Sequence, residues 1–283
     1  MGLVPLVLVL SAASAHATWN FLAKRSGGGV TFVWLYAIAG LTLYAPAALI
    51  QVTLRWQRFS WAGLGFMAGS GILHAGYFTA LQRGYAEGDL SLVYPLARGT
   101  GPLLSVIAAL VILRERASPP GLLGAALIIA AVLSLVRGAR EEGAALAITF
   151  GILTGAFTAA YTIWDAHAVT ALHQPAIVYY WGAEATQVVV LTPLIWRQRA
   201  KLRGVWNAQH RLVLGVGALS PAAYILVLVA LTLAPVIFVA PAREVSIVFG
   251  VLLGANVLGE GQAVQRMLAA TAILVGIVLL AVA

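Results

Sequence analysis

The sequence predicts an all-α polytopic membrane protein of ten transmembrane helices, arranged as two inverted five-helix repeats. Three observations carry that prediction. The first is composition: of 283 residues, 61% are apolar and 9% charged, with a mean hydropathy of +0.95, whereas an average soluble domain carries about 25% charged residues. The second is segmentation into hydrophobic runs that each match the roughly 20 residues needed to cross about 30 Å of hydrocarbon. The third is an internal repeat: Arg98 and Glu115 recur as Arg243 and Glu260, both shifted by 145 residues. Around them Ala97, Val106, Leu113, Leu123, Ala125 and Ile128 meet identical residues at 242, 251, 258, 268, 270 and 273. A duplicated apolar unit is a duplicated membrane unit.

Taken in order, the runs fall at 3–22, 30–53, 61–82, 90–113, 119–136, 144–164, 175–196, 211–232, 236–257 and 263–283. Breakers and charges separate them: Lys24-Arg25 before Gly27-Gly28-Gly29, Arg55 to Arg58, Glu87-Gly88-Asp89, Arg114-Glu115-Arg116 before Pro119-Pro120, Arg137 to Glu142, and Arg197 to Arg211. Within the first run, the apolar stretch from Met1 leads into Ala15-His16-Ala17, which imitates a secretory cleavage site. It lacks a basic leader, and the run at 144–164 is its counterpart, with Tyr161-Thr162 opposite Trp19-Asn20, so it is read as a helix. The two repeats are then 1–138 and 143–283. Five helices is an odd number, so the second repeat enters the membrane from the opposite side to the first. Of the 17 Lys and Arg, the even-numbered connections hold only Arg55, Arg58, Arg114 and Arg116, which favours cytoplasmic odd connections and termini outside.

Several functions are excluded or disfavoured. With lysine only at 24 and 201, no phosphate-binding Gly-x-x-x-x-Gly-Lys loop exists. The +8 net charge lies between hydrophobic runs instead of forming a basic surface, so nucleic acid is not an expected partner. Without cysteine there is no thiolate chemistry, and the five histidines have no metal-ligand spacing, so neither metal nor cofactor is expected. Ser70 and His74, at i and i+4, leave open an intramembrane enzyme, although one helix supplies both groups and no third group orients the histidine.

The candidate binding residues sit on helix faces. His16, Trp19 and Asn20 share one face of the first helix, and His74, Tyr77 and Phe78 share one face of the third. Tyr161 and Trp164 come from the sixth helix, Tyr224 from the eighth and Tyr94 from the fourth. Rings with polar tips suit a ligand with a flat or apolar body and a few hydrogen-bonding groups. Arg98 and Arg243 are intramembrane guanidiniums able to hold a carboxylate in a two-pronged grip; the alternatives are a structural ion pair, Arg243 with Glu244 or either arginine with Glu184, or snorkelling to the interface. Pro95, Pro102, Pro235 and Pro241 flank them and are candidate gating hinges. Glu184, the one carboxylate near mid-span, is a candidate proton carrier, although its counterpart is Ala39. Glu115 and Glu260 are read as complements to the helix start that follows them.

Ten helices in two halves, each with a proline-containing fourth helix ending in Leu-x-Glu (Leu113 to Glu115, Leu258 to Glu260) and a small-residue fifth helix, resemble the EamA branch of the drug/metabolite transporter superfamily. The resemblance covers the whole chain. It implies secondary transport of small metabolites across a bacterial inner membrane, often outward, with helices 1, 3, 4, 6, 8 and 9 around a central cavity and 5 and 10 outside it. Within that branch, size and aromatic content are most similar to exporters of aromatic amino acids. The expected partners are therefore an amino-acid-like small molecule and the lipid bilayer, for a monomer or homodimer. A multidrug or other metabolite carrier of the same superfamily is the alternative.

Overall fold

The computed structural model describes residues 3–55, 60–111, 119–138, 143–234, 239 and 242–281. The described residues form ten α-helices: α1 (Leu3–Arg25), α2 (Val30–Arg55), α3 (Trp61–Glu87), α4 (Leu90–Val111), α5 (Pro119–Gly138), α6 (Ala144–Thr170), α7 (Ala176–Trp196), α8 (Arg199–Leu233), α9 (Ser246–Val257) and α10 (Ala263–Ala281). Six of them, α1, α2, α5, α6, α8 and α10, are long and apolar enough to cross a membrane.

Local chemistry explains the boundaries. Gly27, Gly28 and Gly29 all adopt positive φ, a conformation open to glycine at no steric cost, and this turns the chain from α1 into α2. Ser60 starts α3 by accepting a hydrogen bond from the Gly63 amide at 3.0 Å. Beyond α9, Gly259 at φ +68° reverses the chain and brings Glu260 back over the helix end.

Four elements depart most from the expected spans. Of the 197–211 stretch, expected as a loop, everything from Arg199 onward is helical, and α8 runs for 35 residues, about 52 Å at 1.5 Å per residue. Leu202, Val205 and Gln209 form its inward stripe, with the Gln209 amide donating to the Ser26 carbonyl at 3.0 Å, so amphipathic spacing outweighs the charge that suggested a loop. Next, α3 and α6 continue past 82 and 164 to Glu87 and Thr170, which carries Tyr85 and Asp165 inside helices. Finally, α9 begins only at Ser246, after a helical pair at 242–243 and a turn at Glu244-Val245. Of the expected hinges, Pro95 lies buried in a helix assigned without interruption through 95 and 102, while Pro235 and Pro241 lie outside the described residues, as does Glu115.

Packing depends on glycines where helix axes come close. Gly124 of α5 and Gly276 of α10 each press on the other's carbonyl, leaving no room for a side chain on either. Gly71 of α3 seats on Ala183 and Thr186 of α7, and Gly217 of α8 on Tyr36, Ala39 and Gly40 of α2. The most extensive helix pairs are α3 with α6, α5 with α10, and α1 with α8. Outside, Leu49, Ile50, Ile72, Val189, Leu252 and Leu268 are exposed; inside, His16, Asn20, Arg98, Asp165, Glu184, Arg243 and Glu244 are buried. An apolar exterior around a polar interior is the distribution a bilayer demands and water does not.

Candidate functional site

Two clusters meet in the interior between α1, α3, α4, α6, α8 and the start of α9. The first is charged. Arg98 lies on α4 and Arg243 beside the turn that precedes α9, and they share one carboxylate. Arg98 Nη1 donates to both oxygens of Glu244, at 3.2 and 3.3 Å, while Arg243 Nε donates to Oε1 at 3.0 Å. All three residues are at least nine-tenths buried. The pair of guanidiniums therefore keeps one positive charge that Glu244 does not neutralise. Removing an ion from water costs several kcal/mol even after relaxation, and among the described residues no second acid forms an ion pair with either arginine. Such a site attracts an anionic group.

His16 adds a constraint. Its Nε2 contacts Arg98 Nη2, and its Nδ1 lies 3.2 Å from the Trp19 indole nitrogen. Both neighbours are donors, and a neutral imidazole has one acceptor nitrogen, so only one contact is a hydrogen bond at a time. An anion accepting from Arg98 would free His16 to accept from Trp19. Nearby, Tyr94 stacks on His16 at 6.1 Å, lies under the Arg98 guanidinium at 5.6 Å, and donates to Ser246 at 2.9 Å. Its ring fits against Gly250, where any larger residue would collide with it. Asn20 accepts from the Tyr85 hydroxyl at 2.6 Å.

The second cluster is aromatic. His74 stacks on Tyr161 at 4.3 Å and meets Tyr224 at 5.3 Å and Tyr180 at 5.6 Å. Tyr77 meets Tyr161 at 5.4 Å and Phe78 at 4.9 Å, and Phe78 meets Trp19 at 5.7 Å. The chain of rings thus runs from His16 and Trp19 to Tyr224. Behind it Asp165, fully buried, accepts from Tyr179 at 2.7 Å and Tyr224 at 2.8 Å.

The structure thus brings together His16, Trp19, Asn20, His74, Tyr77, Phe78, Tyr94, Arg98, Tyr161, Tyr224 and Arg243. Trp164 is a correction. It is 38% exposed, donates to the Phe66 carbonyl at 2.8 Å and packs over Gly69, so it serves the α3–α6 contact instead of the cluster. The reason is angular: Asp165, at i+4 from Tyr161, takes the inward direction that Trp164, at i+3, misses. Glu184 also stands apart, against Gly40 in the α2–α7 contact, with Oε2 lacking a hydrogen-bond partner. Arg98 and Arg243 pair with Glu244 and not with Glu184.

Glu260 reaches across the molecule. It accepts from the backbone amides of Leu90 and Ser91 at 2.8 Å each, and Arg266 joins the group through Asp89 at 2.7 Å. The helix it caps is α4, not the helix that follows it in sequence. Sequence reading also missed Tyr36, whose ring meets Phe78 at 5.5 Å, together with Tyr179, Tyr180 and Asp165. Asp165 was placed past the end of a 20-residue span, and its i+4 relation to Tyr161 was the available signal. The Ser70–His74 contact does not have hydrolase geometry. His74 Nδ1 lies 2.9 Å from the Ser70 carbonyl, which can only accept, so that nitrogen is a donor and cannot take the hydroxyl proton 3.2 Å away.

A cavity of about 420 Å³ opens where α2, α6, α7 and α8 end, lined by Gln51, His173, Gln174, Val229 and Thr232 among others. Its wall residues Val169, Ala176 and Val229 stand about one helical turn, some 5 to 8 Å, from Asp165, Tyr180 and Tyr224 on the same helices.

These features define an all-helical membrane protein with a charged and aromatic interior. No family model and no curated protein sequence matches the chain. Its fold is similar to that of a solved structure described as "Crystal structure of protein", with a TM-score of 0.61 over 97% of this chain and 95% of that one at 17% identity, a likeness of fold alone.

Proposed function

We propose that this chain is a secondary transporter of the EamA-type drug/metabolite class. On this reading, two inverted five-helix halves in a bacterial inner membrane export small amphipathic carboxylates, amino acids with aromatic or large apolar side chains above all. The observation that carries the reading is the pair of buried guanidiniums sharing one carboxylate, beside a continuous row of rings. A ligand carboxylate neutralises the surplus charge, and the rings accept an apolar body, each ring pair adding about 0.5 to 1.5 kcal/mol beyond burial.

Helix partnership supports the inverted halves. Exchanging helix n of the first half with n+5 of the second turns the α1–α8 pair into α6–α3 and the α2–α8 pair into α7–α3, all of them extensive contacts. The glycine seats at Gly71 and Gly217 exchange the same way, and α5–α10 and α2–α7 map onto themselves. Such symmetry suits alternating access, in which one half rocks against the other around a shared site.

The test is counterflow in proteoliposomes across the twenty amino acids, with and without a pH gradient. Uptake of chemically unchanged phenylalanine or tryptophan is expected, with at least a tenfold loss in Arg243→Gln. Failure to exchange any amino acid, or an undiminished rate in that variant, refutes the proposal.

A further inference from the structure

We infer that Asp165 and the tyrosines around it form the part of the ligand site that takes a cationic group, so that the ligand is a zwitterion whose ammonium faces Asp165 while its carboxylate faces Arg98 and Arg243. This rests on the transport reading and specifies its substrate class.

Asp165 is fully buried, and its partners are the hydroxyls of Tyr179 and Tyr224. Among the described residues it forms no ion pair with a lysine, arginine or histidine. It is thus the mirror image of the arginine end: one site carries a surplus cation, the other a carboxylate without a cation, and Tyr224, bonded to Asp165, meets Tyr161 in the row of rings that leads to Trp19 and His16. Two opposite uncompensated charges in one low-dielectric interior are complementary to a ligand that carries both signs. They discriminate against a ligand that carries only one.

The surroundings of Asp165 fit an ammonium in particular. Tyr161, Tyr180 and Tyr224 present rings around His74, and ring faces attract cations. Because His74 Nδ1 donates to the Ser70 carbonyl, its Nε2 is an acceptor in the neutral ring. A primary ammonium has three donors, and a carboxylate, an imidazole nitrogen and a tyrosine oxygen are three acceptors. The 420 Å³ cavity lies about one helical turn from Asp165 along α6.

Three probes sharing one ring separate the two ends: phenylalanine, 3-phenylpropionate without the amine, and phenethylamine without the acid. Asp165→Asn keeps the shape: its one oxygen accepts from one tyrosine, and its amide NH2 donates to the hydroxyl oxygen of the other. In proteoliposomes it should lower the ratio of phenylalanine to 3-phenylpropionate uptake at least tenfold. In the wild-type protein in detergent, phenylalanine should raise the melting temperature more than either one-charge probe at equal concentration. That second measurement stands even if Asp165→Asn does not fold. An unchanged uptake ratio, or 3-phenylpropionate stabilising the wild type as well as phenylalanine, overturns the assignment of Asp165 while leaving the arginine end intact. If the wild type moves none of the three, the transport reading itself fails and this inference with it.

Discussion

Replacing Glu244 by glutamine tests the charged end most directly. The carboxylate accepts from Arg98 at 3.2 and 3.3 Å and from Arg243 at 3.0 Å, and both arginines are buried. Glutamine keeps the volume and one acceptor oxygen but leaves two guanidiniums with no counter-charge. Breaking a buried ion pair from one side costs about 3 to 5 kcal/mol, so unliganded Glu244→Gln should unfold well before the wild type. Ligand binding should move the other way. In the wild type a ligand carboxylate must compete with Glu244 for the same N–H groups; in the variant it takes them unopposed. Regaining one charge-assisted hydrogen bond is worth about 1.5 to 3 kcal/mol, equivalent to roughly 10- to 100-fold tighter binding. Thermal unfolding in detergent, titrated with phenylalanine, reads both quantities. Equal stability without ligand, or unchanged affinity, would refute the idea that the charge of Arg98 and Arg243 left over by Glu244 holds a ligand carboxylate.

Two further outcomes check the architecture and the opposite end of the molecule. In a chain without cysteine, Arg25→Cys at the exposed end of α1 and His173→Cys between α6 and α7 mark the first connection of each half and should react with a membrane-impermeant maleimide from opposite faces; labelling from one face would mean parallel repeats. Glu260→Gln removes charge from the group that caps α4 through the Leu90 and Ser91 amides. A buried Leu92→Cys should then label faster than in the parent, and equal labelling rates would make the cap a static strut.

Much of the interior was legible because helical periodicity selects faces. His16, Trp19 and Asn20, and His74, Tyr77 and Phe78, lie together in sequence at i, i+3 and i+4 and lie together in space. Arg98 and Arg243 were legible because a guanidinium in an apolar run has few tolerable fates. What failed was length. A 20-residue window cut off Asp165 and Tyr85, because α6 and α3 run 27 residues each. It also turned the amphipathic start of α8 into a loop. Trp164 failed for a different reason: one residue of helical phase decides between the interior and the α3–α6 seam, and Gly69 opens that seam to an indole.

The surplus charge at the arginine end has an origin in the duplication proposed for this chain. A unit carrying one intramembrane arginine, copied and inverted, places two arginines side by side, and the contact of α4 with the region before α9 is where the copies meet. The acid was not copied: at the 145-residue offset, Glu244 faces Gly99. Asp165 has no acidic counterpart either, since the pairing of Tyr161-Thr162 with Trp19-Asn20 sets it against Ala23. On the proposed transport reading, symmetry supplies the paired cations and the framework that moves, while residues present in one half alone supply the polarity of the site. A ligand bound between such halves would not sit equally in two orientations, because its carboxylate is drawn to the arginines and its ammonium to Asp165. Fixed orientation would let one site pass the same ligand from face to face by rocking, without the ligand having to turn over.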